Sequence, residues 1–138
     1  MRSGLSPATT ARPSEKMDEF IIGVVGPCGA GKSSLVARLK KEGLTARHIA
    51  QEHSYVPDMW KRMTNPHILI YLDVSFENTI LRRKLDWTLE EYAEQLRRLR
   101  HARQHADFYV DTNQMTLVEV VSSALTFIES ARTKFLHK

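Results

Sequence analysis

A glycine-rich segment, GPCGAGKSS at residues 26–34, separates two hydrophobic patterns of different period. The run FIIGVV before it is apolar and rich in β-branched residues, which predicts a strand buried on both faces. In KSSLVARLKKEG after it, Leu35 and Leu39 share one helical face and Gly43 is placed to end the helix. A buried strand that turns directly into a helix is a unit of a parallel α/β sheet.

The same alternation continues along the chain. LTARHIA (44–50), HILIYLDV (67–74) and ADFYVDT (106–112) are the other predicted strands. Predicted helices run from Ser75 to about residue 85, from a capping box at Thr88 to about His105, and onward from a capping box at Thr116. Residues 51–66, which contain two prolines, are predicted to be irregular. We therefore expect a three-layer α/β domain at residues 18–138, with a parallel sheet of about four strands.

Composition narrows the class of protein. A chain of 138 residues suits one domain, and no apolar run reaches the ~18 residues that a membrane span requires. The net charge of +4 favours anionic ligands, but without a basic face it does not predict nucleic-acid binding. The single cysteine excludes an intramolecular disulfide and suits a reducing compartment, so we expect a cytoplasmic protein.

Residues 1–17 differ in composition from the rest of the chain. They contain serine, threonine, proline and arginine, and almost no large apolar residue. We interpret them as a disordered tail. An organelle-targeting peptide is the alternative, because such peptides are rich in arginine and serine and poor in acids.

Gly26, Gly31, Lys32 and Ser33 fit the pattern G-x-x-x-x-G-K-[ST], the Walker A motif. Glycines allow successive backbone N–H groups to surround a phosphate, and the following helix adds the positive end of its dipole. Lys32 would contact the β- and γ-phosphates of a nucleotide, and Ser33 would hold Mg²⁺. The predicted nucleotide-binding residues are Gly26, Pro27, Cys28, Gly29, Ala30, Gly31, Lys32, Ser33 and Ser34. Cys28 is either a small loop residue or a redox-sensitive thiol.

Two classes of nucleotide-binding protein are disfavoured. GTPase switches need D-x-x-G and N-K-x-D segments, and the chain has neither. Motor ATPases need a longer chain and a catalytic glutamate beside the acid that follows the third strand, whereas here Val74 follows Asp73.

Three segments resemble the small P-loop phosphotransferases, such as adenylate, shikimate and dephospho-coenzyme A kinases. These are GVVGPCGAGKSSLVARL, IYLDVSFENTILRR and ADFYVDTNQMTLVEVV, of which the first is the most specific. The resemblance implies a P-loop fold, Mg²⁺ and ATP as cofactors, and a small phosphoryl acceptor. It also implies that Arg82, at the lid-arginine position, contacts the base or the transferring phosphate.

The chain departs from these kinases between its second and third strands. Those kinases usually have five strands and an acceptor-binding helix pair or extra strand in this interval, whereas this chain has only residues 51–66. QEHS also stands where a D-x-D or D-x-x-R acceptor signature is expected. The acceptor pocket must therefore be small, differently built or absent.

Two acids are candidates for chemistry at the carboxyl edge of the sheet. Glu52 could accept a proton from an acceptor or orient a Mg²⁺-bound water, or it could be an exposed loop carboxylate; His53 is a weaker candidate. Asp73 occupies a common metal-binding position, although in the kinases that this chain resembles the matching acid can instead anchor the next helix.

Arginines of the long helix are sorted by helical geometry. The apolar positions Leu89, Tyr92, Leu96 and Leu99 define a stripe that continues to Arg103. Arg103 is therefore predicted to point inward and to need a phosphate or a structural carboxylate as partner. Arg97 and Arg98 are predicted to lie on a solvated face, where Glu94 pairs with Arg98. Trp60 and Tyr55 are interpreted as packing residues.

The function that best fits these observations is an ATP-dependent phosphotransferase with Lys32, Arg82, Arg103 and Glu52 as candidate catalytic residues and Ser33 and Asp73 as candidate metal ligands. The alternative is a nucleotide-binding regulator or slow NTPase without an acceptor. A third reading is a degenerate kinase retained as an interaction domain.

Overall fold

The computed structural model describes residues 19–136, so the predicted tail at residues 1–17 lies outside it. The strands are β1 (Ile21–Val25), β2 (Thr45–His48), β3 (Ile68–Asp73) and β4 (Phe108–Asp111). The helices are α1 (Lys32–Lys41), α2 (Met59–Met63), α3 (Phe76–Arg83), α4 (Leu89–His105) and α5 (Leu117–Leu136), with a 3₁₀ helix at Gln51–His53.

The strands form one parallel sheet in the order β2-β1-β3-β4. Val24 of β1 lies opposite His48 of β2 and Ile70 of β3, and Asp73 of β3 lies opposite Asp111 of β4. The carboxyl ends of β1, β2 and β3 therefore share one edge. The predicted α/β class and four-stranded parallel sheet are confirmed.

Helices cover both faces of the sheet, as the apolar central strands β1 and β3 require. On one face the strand side chains of Ile22, Val24 and Leu72 belong to the same buried cluster as residues of α1 and α5. On the other face Leu69 and Tyr71 cluster with Trp60 of α2 and Leu99 of α4. No helix among residues 19–136 is long and apolar enough to cross a membrane.

Local signals placed the helix ends correctly. The hydroxyl of Ser75 accepts a hydrogen bond from the backbone N–H of Asn78, and Thr88 forms a complete capping box with Glu91. Thr116 and Glu119 form the same reciprocal pair of bonds before α5. Gly43 has a φ of +85°, which suits the position just beyond the end of α1.

Residues 51–66 contain more regular secondary structure than predicted. They contain the 3₁₀ helix and α2, and Gln51 and Trp60 are both buried. The Gln51 side chain accepts from the Trp60 N–H at 2.8 Å and donates to the Val56 carbonyl at 2.8 Å. The buried Gln51 amide thus provides hydrogen-bond partners for the backbone groups of Val56 and Trp60. The two prolines in this segment predicted irregular structure but gave no indication of this contact.

The spacing of apolar residues predicts that Leu117, Val121, Ala124 and Ile128 share the buried face of α5, and this prediction is only partly correct. Val121, Ala124 and Ile128 of α5 are buried as predicted, but Leu117 is exposed and Val120 takes the buried position. Leu117 is the first residue of the helix, next to its cap, where the 3.6-residue period is least informative.

Candidate functional site

The glycine-rich loop connects the end of β1 to the first turn of α1 and needs glycine at specific points. Gly26 has a φ of +153°, and a Cβ at this position would lie 2.2 Å from the carbonyl oxygen of Leu72. Gly29 and Gly31 have φ values of +90° and +94°. Side-chain-bearing residues rarely adopt such conformations, so the glycines set the path of this loop.

Lys32, the first residue of α1, turns back over this loop. Its Nζ atom donates to the carbonyls of Gly26 at 2.6 Å and Pro27 at 3.1 Å, and lies 3.0 Å from Oε2 of Glu52. The ammonium group is therefore buried among oxygen atoms at the carboxyl edge of the sheet, with a carboxylate as counter-ion.

Glu52, in the 3₁₀ helix after β2, is the buried partner. Its side chain is only 3% exposed, so the alternative of an exposed loop carboxylate is wrong. Oε1 is also buried and has no hydrogen-bond partner among the described residues. The carboxylate is thus incompletely satisfied, which is unusual for a buried charge and is common at functional sites.

A cavity of about 270 Å³ opens beside Lys32 and Glu52. Its lining includes loop residues, the exposed Ser33, His53 and Arg83; the complete set is Cys28, Gly29, Gly31, Lys32, Ser33, His48, Glu52, His53, Arg83 and Leu85. Arg83, which was not selected from the sequence, therefore lines the same cavity as Lys32, whereas Arg82 does not. A neighbouring pair of arginines on a helix gives no sequence signal for which one faces the cavity.

Arg82 lines a second cavity of about 230 Å³ on another side of the loop. Its guanidinium donates to the Thr112 hydroxyl at 3.1 Å and to the Thr112 carbonyl. Ala30, Gly31, Ser34 and Met115 are among the other lining residues. Arg82 is therefore fixed to the turn after β4, next to the loop but outside the cavity that contains Lys32.

The carboxylate of Asp73 is already bonded to protein groups. Oδ1 accepts from the backbone N–H of Val74 at 2.9 Å, Oδ2 accepts from the Tyr109 hydroxyl, and Arg103 lies 3.9 Å away. These contacts fit the alternative role of Asp73, anchoring the segment that leads into the next helix, better than the role of a free metal ligand. Partial burial and the hydrogen bond to Asp73 raise the pKa of Tyr109.

Arg103 does not point inward as predicted. Its side chain is 57% exposed, with the guanidinium 5.1 Å from the ring centre of Tyr109. The buried positions of α4 are Gln95, Leu99 and Ala102, so the buried face is rotated from the stripe that begins at Leu89. The polar Gln95 hid this rotation from a pattern based on apolar residues. Asp73, a structural carboxylate, is the anionic partner of Arg103.

Arg98 was predicted to be solvated, and its side chain is only 19% exposed. It pairs with Glu94 at 3.0 Å as predicted, but it also donates to the backbone carbonyl of Glu52 and covers the ring of Tyr55 at 4.3 Å.

Arg97 is exposed, as expected. Tyr55 is largely exposed rather than packed in the core, whereas Trp60 is buried as predicted.

Cys28 is held by α4. Its backbone N–H donates to Oε1 of Gln95 at 2.9 Å, and Nε2 of Gln95 donates to the Cys28 sulfur at 3.2 Å. His53 approaches the same sulfur, with Nε2 at 3.8 Å. Because Gln95 is 67 residues away in the chain, no local pattern could reveal this arrangement.

The positive charge of the site also acts on a neighbouring histidine. Partial burial lowers the pKa of His48, and the Lys32 ammonium lowers it further, while the Glu52 carboxylate opposes this effect. A neutral imidazole beside the loop is thus favoured, which limits the total positive charge around Lys32.

Comparison with protein-family models and with curated proteins found no match to this chain.

Proposed function

We propose that this chain is a Mg²⁺-dependent, ATP-binding phosphotransferase of the small P-loop kinase type. The observation that carries the proposal is the buried Lys32 ammonium, 3.0 Å from the Glu52 carboxylate at a loop whose glycines have positive φ values. Glycine-lined backbone, a helix N-terminus and an amine in one place are the features that a nucleotide phosphate chain requires.

The loop and Lys32 would bind the phosphate chain. Lys32 now uses carbonyls of the loop and Glu52 as its anionic and polar partners, and phosphate oxygens would take over that role. Ser33 is exposed in the same cavity and would hold Mg²⁺, which neutralises charge on the phosphates. Glu52, released from Lys32, would be available to accept a proton from an acceptor hydroxyl.

The second cavity is suited to the base of the nucleotide. It combines the guanidinium of Arg82 with apolar surface from Met115 and Val120, and it shares Gly31 with the loop. An arginine can stack on an aromatic ring, and apolar side chains can cover the opposite face. In this arrangement Arg82 would contact the base and Arg83 would contact the phosphates.

A slow NTPase or nucleotide-dependent regulator is the second candidate, and one observation favours it. The segment between β2 and β3 folds onto the sheet through Gln51 and Trp60, so an acceptor would have to bind in the space that remains beside the loop. A water molecule is the smallest acceptor that this space could admit.

Binding is tested first, by the change in melting temperature on adding Mg·ATP. We expect stabilisation of the wild-type chain and little or none for Lys32→Ala, since ligand binding to the folded state raises its stability. Lys40→Ala is the matched control, because Lys40 is an exposed residue of the same helix. Equal changes in melting temperature for Lys32→Ala and Lys40→Ala, or no change for the wild type, would refute nucleotide binding at this loop. The chain would then be interpreted as an interaction domain.

Transfer is tested next, with Mg·ATP and a panel of nucleosides, nucleotides and small hydroxy acids. The kinase proposal predicts that at least one acceptor raises ATP consumption above basal hydrolysis and yields a phosphorylated product. Binding without any acceptor effect would instead support the NTPase or regulator.

A further inference from the structure

Three side chains with different metal-binding atoms meet at the edge of the cavity beside Lys32. Sγ of Cys28 is 3.8 Å from Nε2 of His53, which in turn is 3.7 Å from Oε2 of Glu52. All three ligand atoms lie within 4.8 Å of one another. A thiolate, an imidazole and a carboxylate are the ligand types that zinc uses in proteins.

Two of the three ligand-atom separations come close to those around a tetrahedrally coordinated ion, and the third, between Cys28 and Glu52, is at most 4.8 Å. With Zn–S near 2.3 Å and Zn–N or Zn–O near 2.0–2.1 Å, tetrahedral ligand atoms are about 3.3–3.6 Å apart. The observed separations of 3.8 and 3.7 Å differ from this by amounts that small side-chain rotations can absorb. The cavity beside the cluster leaves the fourth position to water.

Two further contacts indicate a prepared site. Both ends of the Gln95 amide are used, since Oε1 accepts from the Cys28 N–H and Nε2 therefore faces the sulfur at 3.2 Å. This contact orients the sulfur, as outer-shell groups orient metal ligands. Glu52, with Oε1 buried and unpartnered among the described residues, also has capacity for another positive partner.

We propose that Cys28, His53 and Glu52 bind a thiophilic divalent cation, with zinc as the best match, and that water completes the tetrahedron. Mg²⁺ is not the expected occupant, because it prefers oxygen ligands and octahedral geometry. Metal binding does not require a nucleotide, and the metal-bound and proton-accepting forms of Glu52 would be alternative states of the site. Because Lys32 contacts the same oxygen of Glu52, the ion and the ammonium would share this carboxylate.

Zinc binding is measured by calorimetry on the reduced, full chain in the absence of nucleotide, so that the result is independent of ATP binding. One ion per chain is expected, and Cys28→Ser and His53→Ala should each weaken binding at least about tenfold. His53→Ala removes an exposed side chain and should fold normally. The matched control is His105→Ala, which removes a histidine from the stacked His101–His105 pair on α4 and should leave this site intact.

Cobalt(II) provides the structural readout, because sulfur coordination gives a thiolate-to-metal charge-transfer band. The wild type and His105→Ala should show this band, and Cys28→Ser should not. Zinc affinity that is unchanged in both Cys28→Ser and His53→Ala, or a cobalt spectrum without the band in the wild type, would overturn the proposal. Loss of affinity in His105→Ala alone would assign the ion to α4 instead.

Discussion

Lys32 and Glu52 form a buried ion pair of 3.0 Å in which the two partners are unequally satisfied. Their side chains are 5% and 3% exposed. Lys32 has two additional carbonyl acceptors, whereas Oε1 of Glu52 has no partner among the described residues. Lys32 is therefore the main group that offsets the free-energy cost of burying the charged Glu52 side chain.

This inequality predicts different effects for the two single substitutions. Lys32→Met leaves a buried carboxylate without its cation and should lower the free energy of unfolding by about 3–5 kcal/mol. Glu52→Gln leaves Lys32 with its two carbonyls and should cost less. Urea denaturation at neutral pH measures both values.

The double variant Lys32→Met/Glu52→Gln completes the comparison. It should be more stable than Lys32→Met alone, because the uncompensated charge is gone. Strictly additive losses would mean that the two charges do not stabilise each other in the folded protein.

The glycines of the loop and of the α1 terminus should respond differently to alanine. Gly26→Ala places a Cβ 2.2 Å from a backbone oxygen, and we expect a loss of more than about 3 kcal/mol or failure to fold. Gly43→Ala meets open space at a φ of +85°, so only the left-handed strain of about 1–2 kcal/mol applies. Similar losses in the two variants would contradict the requirement for glycine at the loop.

The architecture could be predicted from sequence because its signals are local. Apolar β-branched runs gave the strands, and capping boxes at Thr88 and Thr116 gave helix starts that the structure confirms. The order of elements then implied a parallel sheet, since each strand is followed by a helix. The glycine–lysine pattern located the central part of the candidate site for the same reason.

The rest of the site depends on contacts between distant segments. The burial of Glu52 follows from how the 3₁₀ helix packs, and the environment of Cys28 follows from Gln95 on α4. The inward direction predicted for Arg103 was wrong because a polar residue, Gln95, occupies the buried face of that helix. Hydrophobic periodicity cannot identify a buried polar residue whose partner is far away in sequence.

Arg82 and Arg83 line different cavities, so their substitutions should affect different kinetic constants. If the chain transfers phosphate, Arg83→Ala should lower kcat, on the order of 10³-fold if the side chain stabilises the transferring group. Arg82→Ala should mainly raise the KM for ATP, since it removes a group beside the proposed base site. Steady-state kinetics of both variants, with the acceptor that gives the fastest turnover of the wild type, separates these effects. A loss of kcat in Arg82→Ala and a higher KM for ATP in Arg83→Ala would exchange the two roles.

Ser33 and Asp73 should differ in their effect on magnesium. Ser33 is exposed to the cavity, whereas the Asp73 carboxylate is bonded to Val74 and Tyr109. If the chain binds Mg·ATP as proposed, Ser33→Ala should raise the Mg²⁺ concentration needed for that binding by about tenfold or more, and Asp73→Asn should raise it less. Titration of Mg²⁺ at fixed ATP, followed by thermal stabilisation, tests this order, and a larger effect of Asp73→Asn would assign Asp73 to the metal.

Tyr92 should remain protonated well into the alkaline range. Burial raises its pKa to about 12, and the nearby carboxylates of Asp73 and Glu77 contribute; its hydroxyl donates to the Val74 carbonyl at 2.6 Å. Because the folded pKa lies above the ordinary value of 10.0, this group stabilises the fold below pH 10. That contribution should be lost as the pH rises from about 10 toward 12.

Tyrosinate absorbance, recorded with circular dichroism to confirm that the chain stays folded, measures this ionisation. The wild type should show a late step that is reduced in Tyr92→Phe. Unfolding by urea should move the same step down toward pH 10, the ordinary value. A step at ordinary pKa in the folded protein would mean that the Tyr92 hydroxyl is not held against Val74, and that the start of α4 packs differently beside the candidate site.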